Sequence, residues 1–196
     1  MKDIEVIGGW NTNADMIADV AQLGFFHGDV LDLTFGMGGF WKVWRPVALE
    51  TNDNGDEKTE ASWNEDFRAT HWNSRSFGTV VFDPPYKMQG KPSSPDMDRR
   101  FGTEKRRTRN EILTLLVGGV AEAARLSDEI LMVKCMDQVN AGKVRWMTDV
   151  ATDVARACEF RKITQFIFQG GRAQPDGTTQ KHPRNAHSTL LVFGRK

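Results

Sequence analysis

Apolar positions along the chain switch between two periods, and the switches mark the elements. At residues 11–23, Met16, Ile17, Val20 and Leu23 recur at the spacing of one helical face, with Asn11 or Thr12 available as an N-cap and Gly24 as a stop. Residues 29–35, 47–51 and 79–82 are short apolar runs of strand length, each closed by polar or turn-forming residues. Between Gly39 and Val47 there is room for barely two helical turns before Pro46 stops them. A second helical face follows at 108–126, through Ile112, Leu115, Leu116, Gly119, Val120 and Ala123. After it come a strand at 129–133, a helix at 143–160 and strands at 163–169 and 188–194. Strands alternating with helices predict an α/β three-layer sandwich around a mostly parallel sheet.

Length and charge sharpen this picture. A chain of 196 residues with 39% hydrophobic content suits a single domain over 1–196 with a substantial core. The formal net charge is zero, but it is unevenly spread: residues 50–66 carry seven acids against Lys58. Residues 87–110 carry eight basic residues against three acids and show no apolar periodicity. That stretch reads as a long loop inserted in the domain, and Lys87, Arg99, Arg100, Lys105, Arg106 and Arg107 are its candidates for phosphate contact. A solvated charged face is the competing reading. Cys135 and Cys158 make no disulfide framework, and His182 and His187 lack a third partner at metal-ligand spacing. With no secretory leader and no apolar run of membrane length, the expectation is a cytoplasmic protein without a metal.

The candidate chemistry gathers where strands end. Behind the run 79–82 stands Asp83-Pro84-Pro85-Tyr86, and two successive prolines cannot continue a ladder, so this tetrapeptide sits at the carboxyl end of a strand. In an open α/β sheet that edge is where ligands bind. Asp83 supplies a carboxylate, the prolines a rigid turn with free carbonyls, and Tyr86 a ring for stacking. An exocyclic amino group on a nucleobase needs this set, with an acceptor for each N–H and an aromatic face for the ring. The plain alternative is a proline turn with Tyr86 packed against the core. The strand at 29–35 runs into Gly36-Met37-Gly38-Gly39, where the backbone can approach a ligand closely. Trp41 stands where the third glycine of the dinucleotide spacing would be, which argues against a nicotinamide enzyme. Glu50 and Asp53, at the end of the strand 47–51, are the acids placed to bond ribose hydroxyls. Lys134 and Asp137, leaving the next strand, face the same pocket and can serve either the substrate or an internal salt bridge.

Asp83-Pro84-Pro85-Tyr86 resembles the catalytic motif of the amino-methyltransferases that modify adenine in DNA, and the run Asp32-Leu33-Thr34-Phe35-Gly36-Met37-Gly38-Gly39 resembles their cofactor motif. More narrowly, 32–46, 82–87, 133–137 and 184–193 are similar to a group of small methyltransferases of actinobacteria and their phages, so that the likeness spans nearly the whole chain. It implies a Rossmann-like class I methyltransferase with a mostly parallel seven-stranded sheet, its last strand inserted antiparallel. It also implies S-adenosyl-L-methionine as cofactor, with Asp32, Phe35, Gly36 and Gly38 in its motif. The segment containing Asn11 is expected over the methionine end, Asp53 at the ribose, and Asp66 and Phe67 at the adenine, after a short third strand.

The resemblance carries a mechanism. The amine attacks the cofactor methyl group in line, with Asp83 and Pro84 accepting its N–H bonds and Tyr86 stacked on a flipped base. Aspartate rather than serine at the head of the motif points to N6 of adenine in DNA, and so short a chain to relaxed sequence recognition through 87–110 and 170–187. The alternatives are an amino-methyltransferase of adenine or guanine in ribosomal or transfer RNA, and a binding protein that keeps the cofactor fold but acts on host nucleic-acid enzymes.

Overall fold

The computed structural model describes residues 9–54, 59–85, 107–140, 142–169 and 187–196. Helix α1 spans Asn13–Gln22 and starts at a capping box: Thr12 Oγ1 accepts from the Asp15 backbone N while the Asp15 carboxylate accepts from the Thr12 backbone N. Thr12, not Asn11, is therefore the cap. Strand β1 is Val30–Asp32, β2 is Leu49–Thr51, and β3 is Phe77–Phe82. The interval before β2 holds one 3₁₀ turn, Gly39–Trp41, instead of two helical turns.

Helix α2, Arg109–Leu126, opens on a second capping box, Thr108 with Glu111, and leads directly into β4, Ser127–Cys135. A small hairpin follows, β5 at Gln138–Asn140 and β6 at Lys143–Arg145, where sequence periodicity had started a helix. Helix α3 is confined to Met147–Ala157. Strands β7, Phe160–Gln169, and β8, His187–Arg195, complete the sheet.

Among the described residues the sheet has six strands in the order β2-β1-β3-β4-β8-β7, not seven. β1 pairs in parallel with β2 and β3, and β3 with β4, while β8 runs antiparallel between β4 and β7, as expected. The segment expected to give a third strand supplies only a parallel bridge between Asn52 and Trp63. The reason is local: beyond that bridge the Asn52 side chain bonds the Glu65 backbone N and O, so a side chain takes the groups a strand would have paired.

Two apolar layers sandwich the sheet, one on each face. Met16, Ile17 and Val20 of α1 pack with Val30, Val81, Met132 and Val192 on one face. On the other, Ile112, Leu116 and Val120 of α2 and Met147 and Ala151 of α3 pack with Leu31, Val80, Phe82, Val133 and Phe193. Gly119 in α2 is set by this contact, because a Cβ there would lie 2.0 Å from Phe82 Cζ. No helix among the described residues is long and apolar enough to cross a membrane.

Candidate functional site

The carboxyl ends of β1, β2, β3 and β4 meet at one edge, and hydrogen bonds between their exits hold that edge together. Asn52, buried at the end of β2, donates Nδ2 to Leu33 O at 3.2 Å and to Glu65 O at 3.0 Å, and accepts from the Glu65 N at 2.9 Å. Its backbone O accepts from Phe35 N at 2.9 Å. β1 and β2 thus leave the sheet at a fixed separation. Thr34 links the first exit to the third, its hydroxyl accepting from the Asp83 backbone N at 2.8 Å.

Beyond β1 the turn is shaped by glycines in the left-handed region, Gly36 at φ 56° and Gly38 at φ 63°. Phe35 explains the second: its ring lies so close over Gly38 that a Cβ would come within 2.8 Å of Cζ. Gly36 N donates to Asp53 Oδ2 at 2.5 Å, and its O accepts from Thr59 Oγ1 at 2.9 Å. Of the two acids proposed for a ribose, the fold brings Asp53 to the glycine turn and turns Glu50 away to accept from Trp63 Nε1 at 3.1 Å.

Asp32 is only 3% exposed and is committed to the protein: Oδ2 accepts from Trp41 Nε1 at 2.7 Å and Oδ1 from Thr34 N at 3.1 Å. Burial raises its carboxyl to about 7 against the opposing pull of those donors, and the charges of Asp83 and Asp53 add to the rise. Asp32 therefore braces the glycine turn from beneath. Asp66 lies further out, forked by Arg68 through Nε at 2.9 Å and Nη2 at 2.5 Å, a bond that holds its carboxyl below the usual range. Phe67 is buried, its ring centroid 5.2 Å from that of Phe82. Asn11 is exposed at the foot of α1, beside Trp10, whose Nε1 donates to Asp19 at 2.7 Å.

At the end of β3, Asp83 keeps 24% of its side-chain surface, and Lys134 Nζ stands 3.4 Å from its Oδ2. The other oxygen, Oδ1, is buried and has no hydrogen-bond partner among the described residues. Burial raises the Asp83 carboxyl and Lys134 pulls it down, with burial prevailing. Pro84 and Pro85 line an apolar recess with Ile112, Leu116, Cys135 and Met147. Asp137, 7% exposed, takes the Thr148 N at 3.0 Å and so caps α3 from outside the helix. Cys135 is buried, and burial first, then Asp137 and Asp83, push its thiol upward.

The structure thus brings together Asp32, Phe35, Gly36, Gly38, Asp53, Asp83, Pro84 and Pro85, and leaves Asn11 and Asp66 at the periphery. Tyr86, Lys87, Arg99, Arg100, Lys105 and Arg106 lie outside the described residues; Arg107 is half-buried just before the α2 cap. Sequence reasoning missed Thr34 and the central role of Asn52. A threonine inside the glycine motif and an amide at a strand end were the available signals.

No known family profile matches the chain, and no curated protein sequence does. Solved structures do. Magnesium protoporphyrin IX methyltransferase from Synechocystis PCC 6803, solved with S-adenosylhomocysteine, superposes with a TM-score of 0.56 at 11% identity, covering 94% of this chain and 81% of that one. A SAM-dependent methyltransferase from Methanosarcina mazei gives 0.52 at 8% identity, covering 89% and 96%. A protein of Thermus thermophilus described as a DNA modification methylase, solved with S-adenosyl-L-methionine, gives only 0.42 at 17% identity, covering 64% of this chain and 49% of that one. The chain spans about half the length of that methylase, and the likeness is too low to carry an argument. With the reversed strand β8 between β4 and β7 and the glycine turn after β1, the chain has the Rossmann-like α/β fold of the S-adenosylmethionine-dependent methyltransferases.

Proposed function

We propose that the protein is an S-adenosyl-L-methionine-dependent methyltransferase acting on the exocyclic N6 amino group of adenine in DNA. The observation that carries this reading is Asp83 Oδ1, a buried carboxylate oxygen with no hydrogen-bond partner among the described residues, at the carboxyl end of β3 in a methyltransferase fold. A buried acceptor left unpaired costs about 1–3 kcal/mol. A bound amine that donates to it recovers that cost.

The residues present fit the cofactor. Gly36 and Gly38 hold the turn in the left-handed region that side chains rarely adopt, at Gly38 a Cβ would also crowd Phe35, and Asp53 stands beside the turn with a carboxylate suited to ribose hydroxyls. Phe35, Asp53 and the glycines would hold the cofactor, with Asp32 supporting them from below, Asn11 and Asp66 at the rim and Phe67 packed behind them against Phe82. S-Adenosyl-L-methionine, when bound, supplies a methyl group on a sulfonium sulfur, and the N–C bond forms as the C–S bond breaks.

The chain's own residues prepare the amine. Asp83 Oδ1 accepts one N–H and the Pro84 carbonyl the other, which draws the nitrogen lone pair out of conjugation with the ring and aims it. The nitrogen carries one surplus proton after transfer, and Asp83 Oδ1 receives it. Thr34 keeps this geometry by holding the Asp83 backbone N. Tyr86 is assigned to stacking on the base, and Lys87, Arg99, Arg100, Lys105, Arg106 and Arg107 to phosphates; this part of the reading rests on residue type and resemblance.

Nucleoside mass spectrometry of unmethylated duplex DNA incubated with the protein and cofactor tests the reading. N6-methyldeoxyadenosine is expected. Methylated adenosine or guanosine from RNA alone would transfer the mechanism to a different nucleic acid.

A further inference from the structure

Strand alternation sets a cation against the candidate catalytic acid. Side chains two residues apart on a strand share a face, so Asp83 lies on the face of Val81, and Lys134 on that of Met132. Val81 and Met132 are register partners across β3 and β4, both in the apolar layer under α1. Lys134 is only 2% exposed; its Nζ stands 3.4 Å from Asp83 Oδ2 and 5.8 Å from the centroid of the Phe40 ring. A lysine is almost never buried so fully unless it is paired. With Oδ2 facing the ammonium and the Asp83 backbone N held by Thr34, Oδ1 is the carboxylate oxygen left without a partner among the described residues.

We propose that Lys134 is a positioning residue for the transfer, its ammonium holding Asp83 ionised and turned so that Oδ1 is the acceptor offered to the substrate amine. The inference rests on the function proposed above and extends it to a residue that acts through Asp83. The pair has titratable neighbours at the end of β1, beyond β2 and on β4. Asp32 at the end of β1 and Cys135 on β4 both feel the Asp83 charge, and Asp53 beyond β2 acts on Asp32. All of these are acidic groups, so among them Lys134 supplies the charge that favours an ionised Asp83.

The test is a ¹³C NMR titration of the Asp83 side-chain carboxyl in the full-length protein, assigned with Asp83→Asn and repeated in Lys134→Met. Methionine fills a similar volume without the charge. The expected result is an Asp83 midpoint at least one pH unit higher in Lys134→Met, a tenfold gain in proton affinity. The methyl-transfer rate should show the same displacement of its acid limb while recovering at high pH, a change that a purely structural role would not produce. A midpoint moved by less than about 0.3 unit in a folded Lys134→Met protein would overturn the proposal, because an opposite charge at this range moves a pKa by about 1–3 units. If Lys134→Met does not fold, the Lys134→Met/Asp83→Asn double variant should, since no charge is then left buried and unpaired. Failure of the double variant where Asp83→Asn alone folds would also overturn it. The titration needs no substrate, so a shifted midpoint with no methylation of any nucleic acid would uphold the ion pair and refute the proposed function instead.

Discussion

Asn52→Ala is the substitution that best probes how the edge of the sheet is held. The side chain makes three hydrogen bonds, to Leu33 O, Glu65 O and Glu65 N, and is fully buried. At about 1 kcal/mol net for each bond, the loss is about 3 kcal/mol, and water has little access to the carbonyl of Leu33 to offset it. For a chain of this length each kcal/mol lowers the melting temperature by about 2–4 °C, so a fall of about 10 °C is expected. Thermal melting followed by circular dichroism reads it. Thr51→Ala is the comparison, since the Thr51 hydroxyl bonds Ser62, at 2.9 Å and 3.2 Å, rather than a strand exit, and sits one residue away; it should cost about 1 kcal/mol. Asn52→Ala should also weaken cofactor binding, because the turn after Leu33 loses its fixed distance from Asp53. A fall in melting temperature under about 3 °C, or one no larger than that of Thr51→Ala, would refute the view that Asn52 ties the two exits together.

Gly119→Ala forces a Cβ to within 2.0 Å of Phe82 Cζ and should destabilise by at least about 2 kcal/mol in urea titration, although alanine is the better helix former. Stability should fall as pH rises from about 4 to 7 and level off above that: the folded protein holds the Asp32 proton up to about 7, whereas the unfolded chain releases it near the ordinary 3.8, so the folded state binds the extra proton in this window. Asp32→Asn should flatten that slope, as melts at each pH would show. Asp53→Ala should weaken cofactor affinity about tenfold by calorimetry, and Asp53→Asn less, because it keeps an acceptor for Gly36 N. Long-read methylation mapping should find a short or relaxed site, and a long strict one would contradict the assignment of recognition to two loops.

Much of this architecture was legible because it depends on patterns only a few residues long. Helical spacing located α1 and α2, apolar runs located β1 to β4, and two prolines fixed where β3 stops. The failures have local causes. The third strand was expected from class resemblance, but Asn52 consumes the backbone groups of Glu65 that would have built it. The helix expected from Lys143 starts only at Met147, because Lys143, Val144 and Arg145 pair with β5 and Asp137 caps the later start. Such contacts join residues brought near by the fold, and periodicity does not register them. At the candidate site, Asp53 and Asp83 were expected at strand ends, and the fold places them beyond β2 and β3. Asp32 was read as a cofactor-facing residue, yet its carboxylate is used up by Trp41 and Thr34, a fate set by the 3₁₀ turn that delivers Trp41. Lys134 was read as facing the pocket, for the substrate or an internal salt bridge, but its partner became visible only through the register of β3 and β4.

The measurement that bears most directly on the central claim is transfer of radiolabelled methyl from S-adenosyl-L-methionine to unmethylated duplex DNA and, in parallel, to total RNA, by the wild type and by Asp83→Ala. The account predicts label in DNA with the wild type and none with Asp83→Ala, while cofactor binding persists in both. Label in neither nucleic acid with the cofactor bound, or equal label with and without Asp83, would contradict it.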